Sequence, residues 1–428
     1  MNQTINIPPL DFSAACARLK NVVHKTPLVY NRRLSERFQS NVFLKREDLQ
    51  EVRSYKIRGA YNMLSSLRAE TLQRGVVCAS AGNHAQGFAQ SCKLLNIQGV
   101  VFMPVITPKQ KIRQTKMFGE GYIVVHLSGD TYDDCAEAAR QYTLENNMTF
   151  IPPFEHPLII EGQATVAVEI IAQFSELHYP EIEPNGNIDY VFVPVGGGGL
   201  CAGTGAYFRE HSPGTKIIGV EPAGAASMTA ALKHGGPVTL DHIERFVDGA
   251  AVKRIGDLTF SICQQVLSDM QVVDEGKICS TILELYNENA IVVEPAGAMS
   301  IAVLDANADM IKGKNIVCIV SGSNNDIDRM QEIKERSLQY EGLKHYFLIS
   351  FAQRPGALKE FVNNVLGPED DITRFEYMQK SNKENGPALV GIELQNQSGL
   401  NRVIANMKAL KIGFEEIRKD DPLFSYLV

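Results

Sequence analysis

Short apolar runs alternate with helix-patterned segments along most of this chain, and that alternation constrains the fold more than any other feature. Val42–Lys45, Gly75–Ala79, Val100–Met103 and Tyr122–Leu127 read as strands, with Lys56–Leu67, His84–Leu95, Lys109–Phe118 and Tyr132–Glu145 as helices among them. Strand–helix–strand order predicts parallel sheets covered by helices. A second block of the same kind follows Pro152-Pro153: helix Gln163–Gln173, strand Tyr190–Val195, a helix from about Cys201 to Arg209, strand Lys216–Val220, helical Leu283–Asn289 and Ala298–Leu304, and strand Asn315–Val320. Two such blocks predict two α/β lobes beside a cleft. Ligands in sheets of this kind collect at the carboxyl ends of the strands.

Three loops that follow predicted strands carry chemistry. Gly196-Gly197-Gly198-Gly199-Leu200 joins an apolar strand to a helix. Glycines let backbone N–H groups approach an anion, and the helix N-terminus adds partial positive charge. The loop lacks the Lys-Ser/Thr ending of a nucleoside-triphosphate loop and the spaced glycines of a dinucleotide site, so a phosphate without a nucleotide fits better. A flexible surface loop is the competing reading. Ser80-Ala81-Gly82-Asn83-His84-Ala85-Gln86-Gly87 also joins strand to helix. The Asn83 amide suits a ring hydroxyl, and the backbone amides of a helix start suit a carboxylate. N-capping by Ser80 or Asn83 explains the same residues equally well, and a lone histidine such as His84 is more often structural. Ser321 ends the last strand of the second block, where its hydroxyl can face a pyridine nitrogen. A neutral partner leaves that nitrogen largely unprotonated, which favours loss of a β-leaving group over a long-lived carbanion. Ser321-Gly322-Ser323-Asn324 is equally an ordinary strand-end turn.

Ser54-Tyr55-Lys56-Ile57-Arg58-Gly59-Ala60 places a lysine between a helix cap and an apolar run. A lysine is usually a solvated cation. With three ring-holding loops elsewhere in the chain, Lys56 reads instead as the amine that carries pyridoxal phosphate as a Schiff base. Glu294, ahead of Pro295 at a helix start, and Glu221, at a strand end, have cleft-facing readings. The plainer reading, a complement to a helix dipole or a strand end, is preferred for both.

At 428 residues the chain exceeds one ordinary core. A net charge of -7 argues against a nucleic-acid surface. Eight cysteines stand singly with no C-x-x-C pair, so no metal site is expected and reduced thiols in the cytoplasm are. No stretch reads as the roughly 18 apolar residues that span a bilayer, and Met1–Pro9 has no basic leader, so no membrane partner is expected. The charged segment 331–344 is taken as a domain boundary, separating residues 1–335 from 340–428. Beyond it the order βαββαβ fits a ferredoxin-like α+β module in which Arg354-Pro355-Gly356-Ala357 opens a helix, either to hold a small amino acid or as a plain turn.

The four stretches, with Val293–Ala298, resemble the fold type II pyridoxal-phosphate enzymes, and within them the biosynthetic threonine dehydratases. The last module resembles the ACT-like regulatory domain of their short forms. The resemblance implies that Lys56 bonds the cofactor, Asn83 meets its ring hydroxyl, Gly196, Gly197, Gly198, Gly199 and Leu200 hold the phosphate, and Ser321 meets the ring nitrogen. Ser80, Gly82, Asn83 and His84 would grip the substrate carboxylate. It further implies deamination of L-threonine to 2-oxobutanoate and ammonia at the head of isoleucine synthesis, with L-serine a secondary substrate. Isoleucine and valine would be effectors, and the assembly a dimer or tetramer. The alternatives are a serine dehydratase or racemase on the same scaffold, or a non-catalytic amino-acid sensor.

Overall fold

The computed structural model describes residues 8–177, 186–379, 384–418, 421–424 and 427. The chain divides into two compact units, Met1–Glu275 with Leu285–Asp326, and Gly276–Glu284 with Ile327–Val428. In chain order the strands of the first unit are β1 (Leu28–Tyr30), β2 (Asn41–Arg46), β3 (Val76–Ala79), β4 (Gly99–Met103), β5 (Ile123–Leu127), β6 (Thr149–Phe150), β7 (Tyr190–Pro194), β8 (Lys216–Pro222), β9 (Leu267–Val273) and β10 (Asn315–Val320). One sheet runs β1-β2-β10-β7-β8-β9 and the other β5-β4-β3-β6. Every pairing is parallel except β1 with β2. Strands β3, β4, β7 and β10 are buried along their whole length. That is why they read as unbroken apolar runs: helices cover both faces. Since β3 to β6 fall between β2 and β7 in sequence, the smaller sheet is an insertion in the larger lobe.

The helix Lys56–Ser65 lies against two others. A Cβ at Gly87, on the helix Asn83–Leu95, would sit 3.0 Å from Ile57 N, and one at Gly162, on the helix Pro157–Ser175, 2.5 Å from Arg58 O. Glycine at both positions lets the backbones approach. The same helix is tied by ions. Arg58 donates to Glu47 (2.7 and 2.8 Å) and to Glu169 (2.8 and 2.9 Å), and Lys45 Nζ reaches Glu169 at 2.6 Å. Lys45, Glu47 and Arg58 are fully buried, and pairing is what makes such charges tolerable inside.

One expectation changes, and a helix and three strands are added to those expected. Pro157–Ser175 is a 19-residue helix whose length and composition would allow it to cross a membrane, contrary to the expectation that no stretch is long enough; it is mostly buried inside the protein. Its apolarity serves a core position. The charged segment near 331–344, read as a domain boundary, is helical over Met330–Tyr340, which turns Ile333 and Ser337 inward, four residues apart. Two such positions are too few to show as an apolar rhythm. Strands β1, β6 and β9 were not anticipated. The first two are three and two residues long, and β9 is a half-exposed edge with Ser268, Asp269 and Gln271 in it.

In the second unit β11 (Lys344–Ala352), β12 (Asp371–Tyr377), β13 (Asn385–Glu393) and β14 (Gly413–Ile417) form an antiparallel sheet ordered β12-β13-β11-β14. With the helices Ala357–Val365 and Ser398–Ala409 this is the βαββαβ arrangement expected. Phe347, Phe361, Val390, Val403 and Met407 form its core. The Arg354 guanidinium forks onto Glu360 at 2.9 and 2.6 Å, and Gly356 (φ +87°) turns the chain into the helix. That is the turn reading of this motif.

Candidate active site

The four stretches meet in the first unit. Tyr55 N donates to Ser321 O at 3.2 Å and Ser54 bridges Gly322, so the Lys56 segment runs beside the end of β10. Lys56 Nζ donates to Pro153 O at 3.0 Å. The next residue, Phe154, underlies the glycine turn: a Cβ at Gly197 would lie 2.2 Å from its ring, and one at Gly199 3.1 Å from its Cβ. The Val247–Ala250 turn closes the circuit. A Cβ at Gly196 would be 3.0 Å from Ala250 Cα, and one at Gly249 3.4 Å from Glu294 Oε1.

Lys56 is partly open to solvent, so a small molecule can reach it. Desolvation nevertheless lowers its pKa from the ordinary 10.5 to about 8, against an upward pull from Glu294. Ser321 is buried at the end of β10. His84 Nε2 lies 3.0 Å from Ile151 O, and burial, with the Lys56 charge, pushes its pKa down to about 3. A neutral imidazole held by a carbonyl cannot pair with a carboxylate by charge, which leaves the His84 backbone N–H for that role.

Three helix starts can be compared. The helix Ser227–His234 has its anion position filled from within: Glu221 accepts from Met228 N (2.6 Å), Thr229 N (2.9 Å) and Thr229 Oγ1 (2.9 Å), and burial raises its pKa to about 7. This is the plainer, non-cleft role preferred for Glu221. The helix Asn83–Leu95 is capped by Gly82 and the helix Gly199–His211 by Gly198 (φ +88°), and neither receives a side-chain cap. The N-capping role considered for Ser80 and Asn83 is therefore not what these residues do; Ser80 Oγ accepts from Gly82 N instead, at 3.2 Å. Nothing lies within 4 Å of where a Cβ at Gly82 would stand. Both starts offer uncapped N–H groups beside open or glycine-lined space, which suits two anions.

Glu294 is the residue that sequence reasoning underrated. It is 4% exposed, and its carboxylate makes no cap bond to the helix Pro295–Ala302 that it opens. It accepts from Asn83 Nδ2 at 2.6 Å and from Asn324 N at 3.2 Å, while Asn324 Nδ2 donates to Asn83 Oδ1 at 2.6 Å. The available signal was Gly322, where a Cβ would come within 2.5 Å of Glu294 Oε1. A single sequence does not show which carboxylate such a glycine makes room for.

Residues 19–322 match the family described as pyridoxal-phosphate dependent enzyme, and residues 335–427 the C-terminal regulatory domain of threonine dehydratase. The chain belongs to the pyridoxal-phosphate dependent enzyme family. It is 54% identical to L-threonine dehydratase biosynthetic IlvA of Halalkalibacterium halodurans, over 98% of both chains. With the Bacillus subtilis protein of the same name it shares 55% identity, over 96% of this chain and 95% of the other. A solved structure, the processed form of threonine deaminase isoform 2 from Solanum lycopersicum, is 39% identical with a TM-score of 0.70, covering 76% of this chain and 92% of that one. The site fits the family's cofactor: a desolvated amine, an uncapped helix start behind a glycine turn for a phosphate, and a serine rather than an acid at the end of β10. Among the described residues no cluster of His, Cys, Asp and Glu is arranged to hold a metal.

Proposed function

We infer that this chain is a biosynthetic L-threonine dehydratase: it converts L-threonine to 2-oxobutanoate and ammonia for isoleucine synthesis, using pyridoxal phosphate. The match to curated threonine dehydratases over nearly the whole chain carries this reading.

Lys56 would hold the cofactor through Nζ, with Gly196 to Leu200 at its phosphate, Asn83 at its ring hydroxyl and Ser321 at its ring nitrogen. When bound, pyridoxal phosphate draws electrons from the α-carbon of an attached amino acid and so makes its proton removable. The residues do the rest. With a pKa of about 8, Lys56 is neutral in about a tenth of molecules at pH 7, against far less for an ordinary lysine, and in that form can take the proton. The Ser321 hydroxyl has no charge with which to keep the ring nitrogen protonated, which favours departure of the β-hydroxyl. The open start of the helix Asn83–Leu95, with Ser80 and the backbone of Gly82, Asn83 and His84, is the place for the substrate carboxylate.

The finer assignments are proposals of the same kind. L-serine is a secondary substrate, isoleucine and valine act on the second unit, the assembly is a dimer or tetramer, and the enzyme works in the cytoplasm. All eight cysteines are free and seven are buried, in keeping with a reducing compartment. The regulatory-domain match weighs against a racemase or a serine-specific enzyme.

Borohydride reduction followed by peptide mapping, with a keto-acid assay on L-threonine, tests the assignment. The label is expected on the peptide containing Lys56. Lys56→Ala should be colourless and inactive; an active, yellow Lys56→Ala protein overturns the reading.

A further inference from the structure

We propose that Glu294 is a positioning residue: ionised, it locks the Asn83 amide in one orientation. This rests on the reading of Lys56 and Asn83 as cofactor residues and goes beyond it, since Glu294 belongs to none of the stretches that hold the cofactor.

The direction of the relay follows from one atom. Asn324 Nδ2 donates to Val52 O at 2.9 Å. A backbone carbonyl can only accept, so this end of the Asn324 amide is its nitrogen. The same nitrogen meets Asn83 at 2.6 Å, so Asn83 presents its oxygen there and turns its nitrogen to Glu294. Glu294 Oε1 takes that nitrogen, and Oε2 takes Asn324 N. Both carboxylate oxygens therefore face donors. A proton on either oxygen would point at an N–H group, so the relay is satisfied when Glu294 is ionised.

A capping role does not explain this geometry, because the carboxylate turns away from the helix it opens. Room is kept for it on two sides, by Gly322 and Gly249. Lys56 and Tyr55, at the start of the Lys56–Ser65 helix, feel its charge, and it feels those of Asp248 and Lys111, which pair with each other. Burial and Asp248 raise the Glu294 pKa to about 7, while Asn83, Lys111 and Asn324 N oppose the rise. Glu294 therefore titrates in the working range. On its ionisation the Lys56 proton is held more firmly and the Asn83 amide is pinned.

The test compares the full-length native enzyme with Glu294→Gln, Glu294→Asp and Asn324→Ala. In the native enzyme kcat/KM for L-threonine should show an acid limb near pH 7. Glu294→Gln should lose that limb and fall about 100-fold in activity, as expected for a misoriented site. Glu294→Asp should restore the limb. A second readout needs no bound cofactor. In protein stripped of it, the pH midpoint for acylation of Lys56 by an amine-reactive reagent, read by peptide mass, should be lower in Glu294→Gln than in the native protein. Asn324→Ala keeps the charge but cuts the relay; it should lower kcat and leave the Lys56 midpoint in place, which also serves should Glu294→Gln fail to fold. A folded Glu294→Gln with the native acid limb and the native midpoint overturns the proposal, as does an Asn324→Ala with native kcat. Borohydride label on a peptide other than that of Lys56 would overturn the site reading instead.

Discussion

The role proposed for Lys56 needs an amine that gives up its own proton readily, and loss of water is what weakens its hold. Its folded pKa of about 8 lies below the ordinary 10.5. Between those values the unfolded chain binds more protons than the native one, so this group makes stability rise with pH across that window. Below pH 8 the amine is charged in both states and the native state bears the whole cost. Cofactor-free Lys56→Met should therefore be more stable than cofactor-free native protein at pH 7, by about 2 kcal/mol after allowance for the partial exposure of the side chain. The gap should close as the pH approaches 10.5. Urea titrations at pH 7, 8.5 and 10 measure it, and a gap that does not shrink counts against the desolvated amine. A second residue-scale expectation concerns space. Gly322→Ala would bring a Cβ within 2.5 Å of Glu294 Oε1, displacing the carboxylate from Asn83. It should cut turnover of L-threonine by at least tenfold with little change in far-ultraviolet circular dichroism; native kcat would show that the site has slack there. That the stretches around Lys56, Asn83, the glycine turn and Ser321 come together was legible because each is a short motif whose residue types suggest its chemistry. Glu294 was not, because its role depends on the room left by glycines at 249 and 322, far from it in sequence or on another strand end.

At the scale of elements, the helix Lys56–Ser65 is where packing and chemistry share a backbone. Two residues after the amine, Arg58 points into a dry cluster with Glu47, Glu169 and Lys45. Such a cluster adds little net stability over an apolar one, yet breaking it leaves a buried charge without a partner. Arg58→Leu should therefore cost about 3–5 kcal/mol in urea unfolding and weaken retention of the cofactor, because the helix start is held by this end. A loss under 1 kcal/mol would mean that water enters the cluster and the ions are not dry. The pattern of apolar runs located the strands that are buried on both faces, β2, β3, β4, β7, β8 and β10, since burial on both faces is what makes a run continuous. Edges were lost. β9 carries polar residues because part of it meets solvent, and β1 and β6 are too short for any periodicity. The Arg58 cluster was equally hidden: Arg58 lies within the motif around Lys56, but its partners at 45, 47 and 169 are separated from it by up to 111 positions.

At the scale of the whole molecule, the boundary between the two units does not coincide with a break in secondary structure. The helix Glu275–Asn289 contributes Gly276–Glu284 to the second unit and its remaining residues to the first. Five residues after it ends comes Glu294. The second unit is therefore not a simple C-terminal appendage, and the place of truncation matters. The helix Met330–Tyr340 holds Ser337, whose hydroxyl lies 2.9 Å from that of Ser280 on the shared helix. A cut after Asp326 would strip that partner from residues 276–284, whereas a cut after Tyr340 keeps it and removes the βαββαβ module alone. The form ending at Tyr340 should turn over L-threonine with a kcat within about threefold of the full chain. If isoleucine acts through the module, the full chain should lose apparent affinity for L-threonine by about 5- to 150-fold when isoleucine is added, the range of an ordinary coupling energy, and the shortened form should not respond. Titration of both forms with isoleucine at fixed threonine distinguishes the cases. Inhibition of equal strength in the two would move the effector site into the first unit, where the open start of the Asn83–Leu95 helix can take the carboxylate of any amino acid.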